Sequence, residues 1–450
     1  MPIFARRRIQ SMIDELSVRI GAEKTRDLLS RLQSKEVTQV LPAEMELGIL
    51  WGLHRLGEVE VEPNWWEGTS RPDAYSSALL AGRNVAIEIA APNDNSISAE
   101  GPMDRVAQAI SACADRVLKG VGERLYFKFG ETSGYQSGVY RRKVLVPKKF
   151  AVCAAHEALI RNWIKSGRYT KADLAIRTPE LHLDIEFRKH RQIRFHNIWT
   201  SMPPETHSAT DNPLYQLLRR KASQLKRTKA GVLRVILLAD AGSTLLNRLG
   251  SVGEVDPTRR RVSGREIISK FVEDNPNKVD AVVVFSPRRE QLSMGLRANP
   301  RWAVFVFVRE EIDGFLSGLD KLAKQLPLPR FEGYQARSLF RQGAYDTSAN
   351  GWYLGLHYKG GIGMNGKSEV SISARLLLDL LAGRISEQQF RYYLGDKPDK
   401  PSMFKNWLDR GKTISDVTMK PRSLDEDDDH IGLHFSDDAA ARALRSPEQS

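Results

Sequence analysis

The apolar runs of this chain are all of strand length. "VAIEIAA" at 85–91, "VLRVILLA" at 232–239, "AVVVF" at 281–285 and "WAVFVFV" at 302–308 contain five to eight residues each. A helix that crosses a membrane needs about 20 consecutive apolar residues, so no membrane-embedded chain is expected. Runs this short and this apolar suit strands covered on both faces. Segments with helical periodicity lie between them, near 102–119, 212–227 and 264–274. The alternation predicts an α/β fold, a mixed or partly parallel sheet with helices on its faces.

Three segments are expected along the 450 residues. Residues 1–40 read as charged amphipathic helices, with Met12, Ile13, Leu16 and Ile20 and then Leu28, Leu29 and Leu32 at helical spacing. Residues 41–335 hold the alternating helices and strands. The first helix of this part is predicted to start at Pro42 and stop at Gly57. Residues 336–450 change character, with a Gly-rich stretch, two helices and the acidic segment "LDEDDDH", and read as a smaller α+β domain.

Charge is unevenly spread. The net is +13, yet residues 421–450 carry eight acids against three arginines, so the rest of the chain is more basic still. Clusters stand at Arg6-Arg7-Arg8, Arg141-Arg142-Lys143, Arg219-Arg220-Lys221 with Lys226-Arg227, and Arg259-Arg260-Arg261. Basic clusters on a basic body suit a polyanion, because neutralised phosphates release their counterions. Only Cys113 and Cys153 are present, too few for a disulfide framework or a thiolate zinc cage. With no signal-like apolar segment at the N-terminus, a reducing cytoplasm is the expected setting.

The stretch "RPDAYSSALLAGRNVAIEIAAPND" at 71–94 carries the chemistry. Gly82 lies in the turn of a predicted hairpin whose arms bring Asp73 and Glu88 together. Glu88 sits inside an apolar strand, where a carboxylate is costly unless paired or bound to a cation. Lys221 falls in the middle of the apolar stripe formed by Leu214, Leu217, Leu218 and Leu225, on a helix capped by Asn212 and begun by Pro213. A lysine on a buried face calls for an anionic partner, and the hairpin supplies two. Gln224 follows one turn further on. Glu46 also lies on an apolar stripe, ahead of Ile49, Leu50 and Leu53, whereas Glu44 is accounted for by the dipole at its helix N-terminus.

This constellation resembles the PD-(D/E)xK nuclease superfamily over roughly residues 42–240. The resemblance implies a restriction-endonuclease-like core and phosphodiester hydrolysis in DNA, with defence against foreign DNA as a setting. Asp73 and Glu88 would then hold Mg²⁺ or Mn²⁺, Glu46 would be the helix acid and Gln224 an accessory group. The family lysine two residues after the strand acid is replaced here by Ala90, and Lys221 would stand in for it from a helix. Arg219, Arg220, Lys226, Arg227, Arg141, Arg142 and Lys143 would face phosphates. The same residues also fit a catalytically inactive nucleic-acid binder of that fold. Read without the resemblance, Asp73 begins a turn, Glu88 is a satisfied core acid and Lys221 snorkels past leucines.

Three rival features are weaker. Asp173 and Glu186 pair with Lys189 in the wrong strand register and read as polar outer positions. "GGIGMNGKS" at 360–368 matches a phosphate-loop pattern through Gly361, Gly366, Lys367 and Ser368. Asn365-Gly366 is equally a hairpin turn, so a nucleotide-binding role stays a third alternative. Asp427, Asp429, His430 and His434 lack the glycine and final glutamate of a calcium loop and read as a solvated acidic loop.

Overall fold

The computed structural model describes residues 3–34, 36–66, 71–94, 100–136, 139–189, 198–199, 206, 208–247, 249, 262–290, 299–337, 359–362, 368–387, 390–391, 401–421, 423–426, 428–438 and 440. The main body is a six-stranded mixed sheet. Its strands are β1 (Val59–Val61), β2 (Ala74–Ser76), β3 (Val85–Ala90), β10 (Leu233–Ala239), β11 (Ala281–Glu290) and β12 (Asn299–Val308), in that spatial order. β3, β10 and β11 are parallel neighbours, while β1, β2 and β12 complete the two antiparallel edges. The fully buried pattern of β3 and most of β10 is what an α/β sheet with both faces covered requires.

Strand alternation divides the side chains between two cores. Val85, Ile87 and Ile89 of β3 join Val235 and Leu237 of β10 on the first face. That face is covered by α1 (Arg6–Ser17), α2 (Ala22–Leu32), α3 (Val37–Leu56) and a helix at Phe315–Gln325. The N-terminal helices are therefore part of the main body's core. Gly318 of the last helix packs so tightly that a Cβ there would meet the Leu79 carbonyl oxygen at 1.9 Å. On the second face, Ala86 and Ala90 pack with Ile236, Leu238 and helices at Pro213–Gln224 and Gly264–Asp274.

The α3 helix begins five residues before Pro42, the start expected from the sequence. Proline cannot donate to the helix ladder, but Val37, Val40 and Leu41 are buried, and Glu36 O accepts from Val40 N. Packing thus holds the turn that proline alone would have ended. Glu44, accounted for in the sequence by the helix N-terminal dipole, is fully buried and accepts from the backbone N–H groups of Ile3 and Phe4 at 3.0 and 3.1 Å. It anchors the chain's N-terminal end to α3.

Between β3 and β10 lies a unit with its own core. β4 (Leu125–Phe129), β7 (Leu174–Arg177), β8 (His182–Phe187) and β9 (Ile198–Trp199) make a second sheet, packed on helices at Glu100–Val117 and Ala154–Lys165. A two-stranded ribbon, β5 (Glu131–Gln136) and β6 (Val139–Val144), springs from it. The C-terminal part is a separate antiparallel sheet, β13 (Lys359–Ile362), β14 (Ser368–Ser373), β15 (Lys412–Lys420) and β16 (His430–Asp437), with a small core around Val370, Trp407 and Phe435. Its acidic segment reaches α1, where Arg8 Nε lies 2.8 Å from Asp425 and Arg7 Nη1 lies 3.0 Å from Asp429. Among the described residues, no helix is long and apolar enough to cross a membrane.

Candidate active site

The hairpin forms as its turn residues dictate. Gly82 takes φ of +75°, a left-handed conformation that glycine adopts without cost, and β2 and β3 pair with Ala74 opposite Ile87. That register sets Asp73, one residue before β2, across from Glu88. The Asp73 carboxylate accepts the Ile89 backbone N–H at 2.7 Å. Glu88 is fully buried and, by alternation, shares the second face with Ala86 and Ala90.

The third member arrives from the Pro213–Gln224 helix. Asn212 caps it by accepting from Tyr215 N at 2.9 Å, and Leu214, Leu218, Ala222 and Leu225 bury its inner side. Lys221 lies on that side, and its Nζ donates to Asp73 Oδ2 and to Glu88 Oε2, each at 2.8 Å. Ala90 packs in the same core as the helix, and its side chain is only a methyl group.

The electrostatics of the three are coupled. Burial pushes the Glu88 carboxyl up to about 8, the nearby Asp73 charge adds to the effect, and Lys221 opposes it. Burial alone would pull the Lys221 ammonium down, yet Asp73 and Glu88 together hold it above its ordinary value. Glu88 Oε1 is buried and has no hydrogen-bond partner among the described residues. A buried carboxylate oxygen without a donor is costly, and it is a ready ligand for a hard cation. Among the described residues no group of three His, Cys, Asp or Glu side chains is placed to hold a metal. A divalent ion here would thus have two protein carboxylates, with water and substrate oxygens completing its shell.

Glu46 does not join them. Its helix covers the first face of the sheet, whereas Glu88 points to the second, so the sheet separates the two acids. Glu46 is instead paired with Lys24 at 2.9 Å and Arg31 at 2.8 Å, both from α2. Burial raises its carboxyl, but the hydrogen bond from Arg31 and the Lys24 charge outweigh this and leave it below its usual value. The apolar stripe around Glu46 was a true signal of burial. Its partners are the cations at 24 and 31 on a neighbouring helix, not a metal.

Gln224 is half-buried one turn beyond Lys221, with no hydrogen-bond partner among the described residues. Arg219, Arg220, Lys226 and Arg227 are exposed on the same helix and the turn after it, and Lys143 is exposed on β6. Arg141 and Arg142 lie in β6, but their side chains, like the whole of Arg259–Arg261, fall outside the described residues.

The rival features resolve locally. Lys128 Nζ, not Lys189, approaches Glu186 at 3.0 Å and Asp173 at 3.8 Å on a solvated strand face. β13 and β14 are antiparallel partners, with Gly361 opposite Glu369. The phosphate-loop pattern therefore lies between two paired strands, and the following helix starts only at Ala374. Residues 363–367 themselves are outside the described residues. His430 Nδ1 bonds the Ser371 hydroxyl at 2.9 Å and His434 approaches Thr418, while Asp429 faces Arg7 and Asp427 is outside the described residues.

Two features escaped the sequence reading. Asp240, at the end of β10, is fully buried and accepts from Gly242 N, Ser243 N and the Ser286 hydroxyl, with burial holding its carboxyl above the usual range. It fastens the chain as it leaves the sheet. The other is an aromatic group, Trp65 and Trp66 from the loop after β1 with Tyr75 on β2, two residues along from Asp73. The adjacent tryptophans of the loop "NWWEGTS" were the available signal.

No family model matches the chain, and neither does any curated protein or solved structure.

Proposed function

We propose that this protein is a metal-dependent nuclease-like phosphodiesterase acting on DNA, built on a restriction-endonuclease-like core. One observation carries the reading: Lys221 Nζ bonded to both Asp73 and Glu88 in a partly buried cluster on the second face. Asp73 and Glu88 would hold Mg²⁺ or Mn²⁺, which supplies a bound water of lowered pKa and neutralises charge on a phosphate. The strand and the helix fix the relative positions of the three groups, so little reorganisation is needed at the moment of reaction. Lys221, released from a carboxylate, donates to a phosphate oxygen or to the attacking water and stabilises developing negative charge. Burial strengthens each of these interactions relative to water.

Exposed Arg219, Arg220, Lys226 and Arg227, on the Lys221 helix and the turn after it, suit a phosphate backbone. The cytoplasm remains the proposed setting, consistent with two free thiols at Cys113 and Cys153. A role in defence against foreign DNA belongs to the same proposal.

The test incubates linear, circular and single-stranded DNA with the purified protein and Mg²⁺, Mn²⁺ or EDTA. Cleavage that needs the metal and is lost in Asp73→Ala, Glu88→Ala and Lys221→Ala supports the enzyme. Cleavage in EDTA, or full activity in all three variants, rules it out. A second reading draws on the lack, among the described residues, of a third His, Cys, Asp or Glu beside Asp73 and Glu88: a binder of the same fold without turnover. Salt-sensitive DNA binding with no cleavage under any metal would select it.

A further inference from the structure

The aromatic group at the sheet edge lies along the same face as the acid–lysine pocket. Tyr75 is opposite Ala86, and both are two residues from the Asp73–Glu88 pair. At about 3.3 Å per strand residue, that is a separation of roughly 7 Å, the reach of one or two nucleotides. Tyr75 and Trp66 pack on the second core, which is the core that Glu88 faces. Trp66 is buried beneath the group, while Trp65 leaves 44% of its surface to solvent.

Trp65 is held in place rather than loosely exposed. Its ring is nearly perpendicular to that of Tyr75, with centroids 4.9 Å apart at 86°, and lies 5.7 Å from Trp66. Its indole N–H donates to Glu60 on β1. One cation lies against the ring, across from the Glu60 carboxylate that holds its N–H. Lys229 Nζ is 5.6 Å from the Trp65 centroid, Arg71 is tied to Asn64 of the same loop, and Lys226 and Arg227 are exposed just before Lys229. A large, fixed, half-exposed indole with a lysine beside it and further basic residues just before that lysine in the chain suits a single strand, since any base can stack on an aromatic face while phosphates meet the cations.

We infer that Trp65, backed by Tyr75 and Trp66, is a stacking platform for a base of single-stranded DNA next to the Asp73–Glu88–Lys221 pocket, with Lys226, Arg227 and Lys229 on its phosphates. The inference deepens the nucleic-acid reading above and rests on it. It makes the preferred substrate one with an unpaired base at the site: a single strand, a flap or a frayed end.

The experiment measures binding in EDTA, where no metal-dependent cleavage can occur. Labelled single-stranded DNA and blunt duplex of equal length are titrated with wild type, Trp65→Ala and Trp65→Phe, following anisotropy and tryptophan emission. Single strands are expected to quench tryptophan. Trp65→Ala is expected to weaken single-strand binding roughly 10-fold, the scale of losing one stacked base, while changing duplex binding less than about 2-fold. Trp65→Phe retains most of the affinity. An abasic strand, lacking bases but not phosphates, should bind wild type more weakly, a comparison that needs no variant to fold. Equal affinity of wild type for abasic and normal strands overturns the inference, as does equal loss on both DNA forms in Trp65→Ala. Failure of the nuclease reading shows separately, as intact DNA when wild type is given Mg²⁺ or Mn²⁺.

Discussion

Lys221 and Glu88 are 133 residues apart in sequence and 2.8 Å apart in space, and the lysine makes the same contact with Asp73. Replacing Lys221 by methionine keeps an apolar stem and removes the ammonium. Breaking a buried ion pair from one side costs about 3–5 kcal/mol when the remaining charge has no relief. Here Glu88 can take up a proton, so a loss of about 2 kcal/mol is expected near neutral pH, rising at higher pH where the two acids repel. Urea unfolding across pH checks this, and an unchanged stability at high pH would refute it. Cleavage by the variant should fall at least about 100-fold.

Glu88 gives the metal-free protein a characteristic pH dependence. Its carboxyl titrates near 8 in the folded chain against 4.5 for an ordinary glutamate, with burial as the main cause. Between those values the folded state holds the extra proton, so this group's contribution to stability is full below pH 4.5 and is lost as pH rises toward 8. The slope is at most about 1.4 kcal/mol per pH unit. Glu88→Gln mimics the protonated form and should flatten it. Melting curves of the two proteins that run parallel across this window would contradict the assignment.

Divalent metal should reverse that loss. An ion bound to the folded state alone stabilises by about 2.7 kcal/mol at a hundred times its Kd. Because the ion and the proton compete for Glu88, Mg²⁺ or Mn²⁺ should raise the melting temperature more at pH 8 than at pH 6. Asp73→Asn should abolish the shift. A metal shift that survives in Asp73→Asn would place the ion elsewhere.

Glu46 separates a structural acid from a catalytic one. Glu46→Gln leaves Lys24 and Arg31 short of their anion, and a destabilisation of about 2 kcal/mol is expected from weakened bonds to charged groups. Activity per folded molecule should remain within about 2-fold of wild type, since the sheet lies between Glu46 and the pocket. A loss of turnover without loss of stability would restore Glu46 to the site.

Lys367 belongs to a nucleotide-binding pattern in the sequence, but the flanking segments Lys359–Ile362 and Ser368–Ser373 pair as antiparallel strands. ATP should not bind measurably by calorimetry to wild type, and Lys367→Ala should leave DNA binding and cleavage unaltered. ATP binding that Lys367→Ala removes would overturn this reading.

Local chemistry determined much of the architecture from the sequence. Strand-length apolar runs announced a sheet covered on both sides, Asn212-Pro213 marked a helix start, and Gly82 marked a turn whose left-handed backbone the structure contains. Lys221 was recognisable because helical periodicity fixes which residues share a face. Periodicity does not say which face of the sheet a helix will cover. It marked Glu46 and Lys221 alike as charges on apolar stripes, and only the crossing of the chain put one on each side of β3. The turn before Pro42 and the burial of Glu44 were likewise decided by packing, since the partners that hold them come from other segments of the chain. The sequence by itself thus determined that Lys221 must find an anion. The tertiary structure chose Asp73 and Glu88, because pairing across the sheet and packing upon it depend on contacts between residues far apart in the chain.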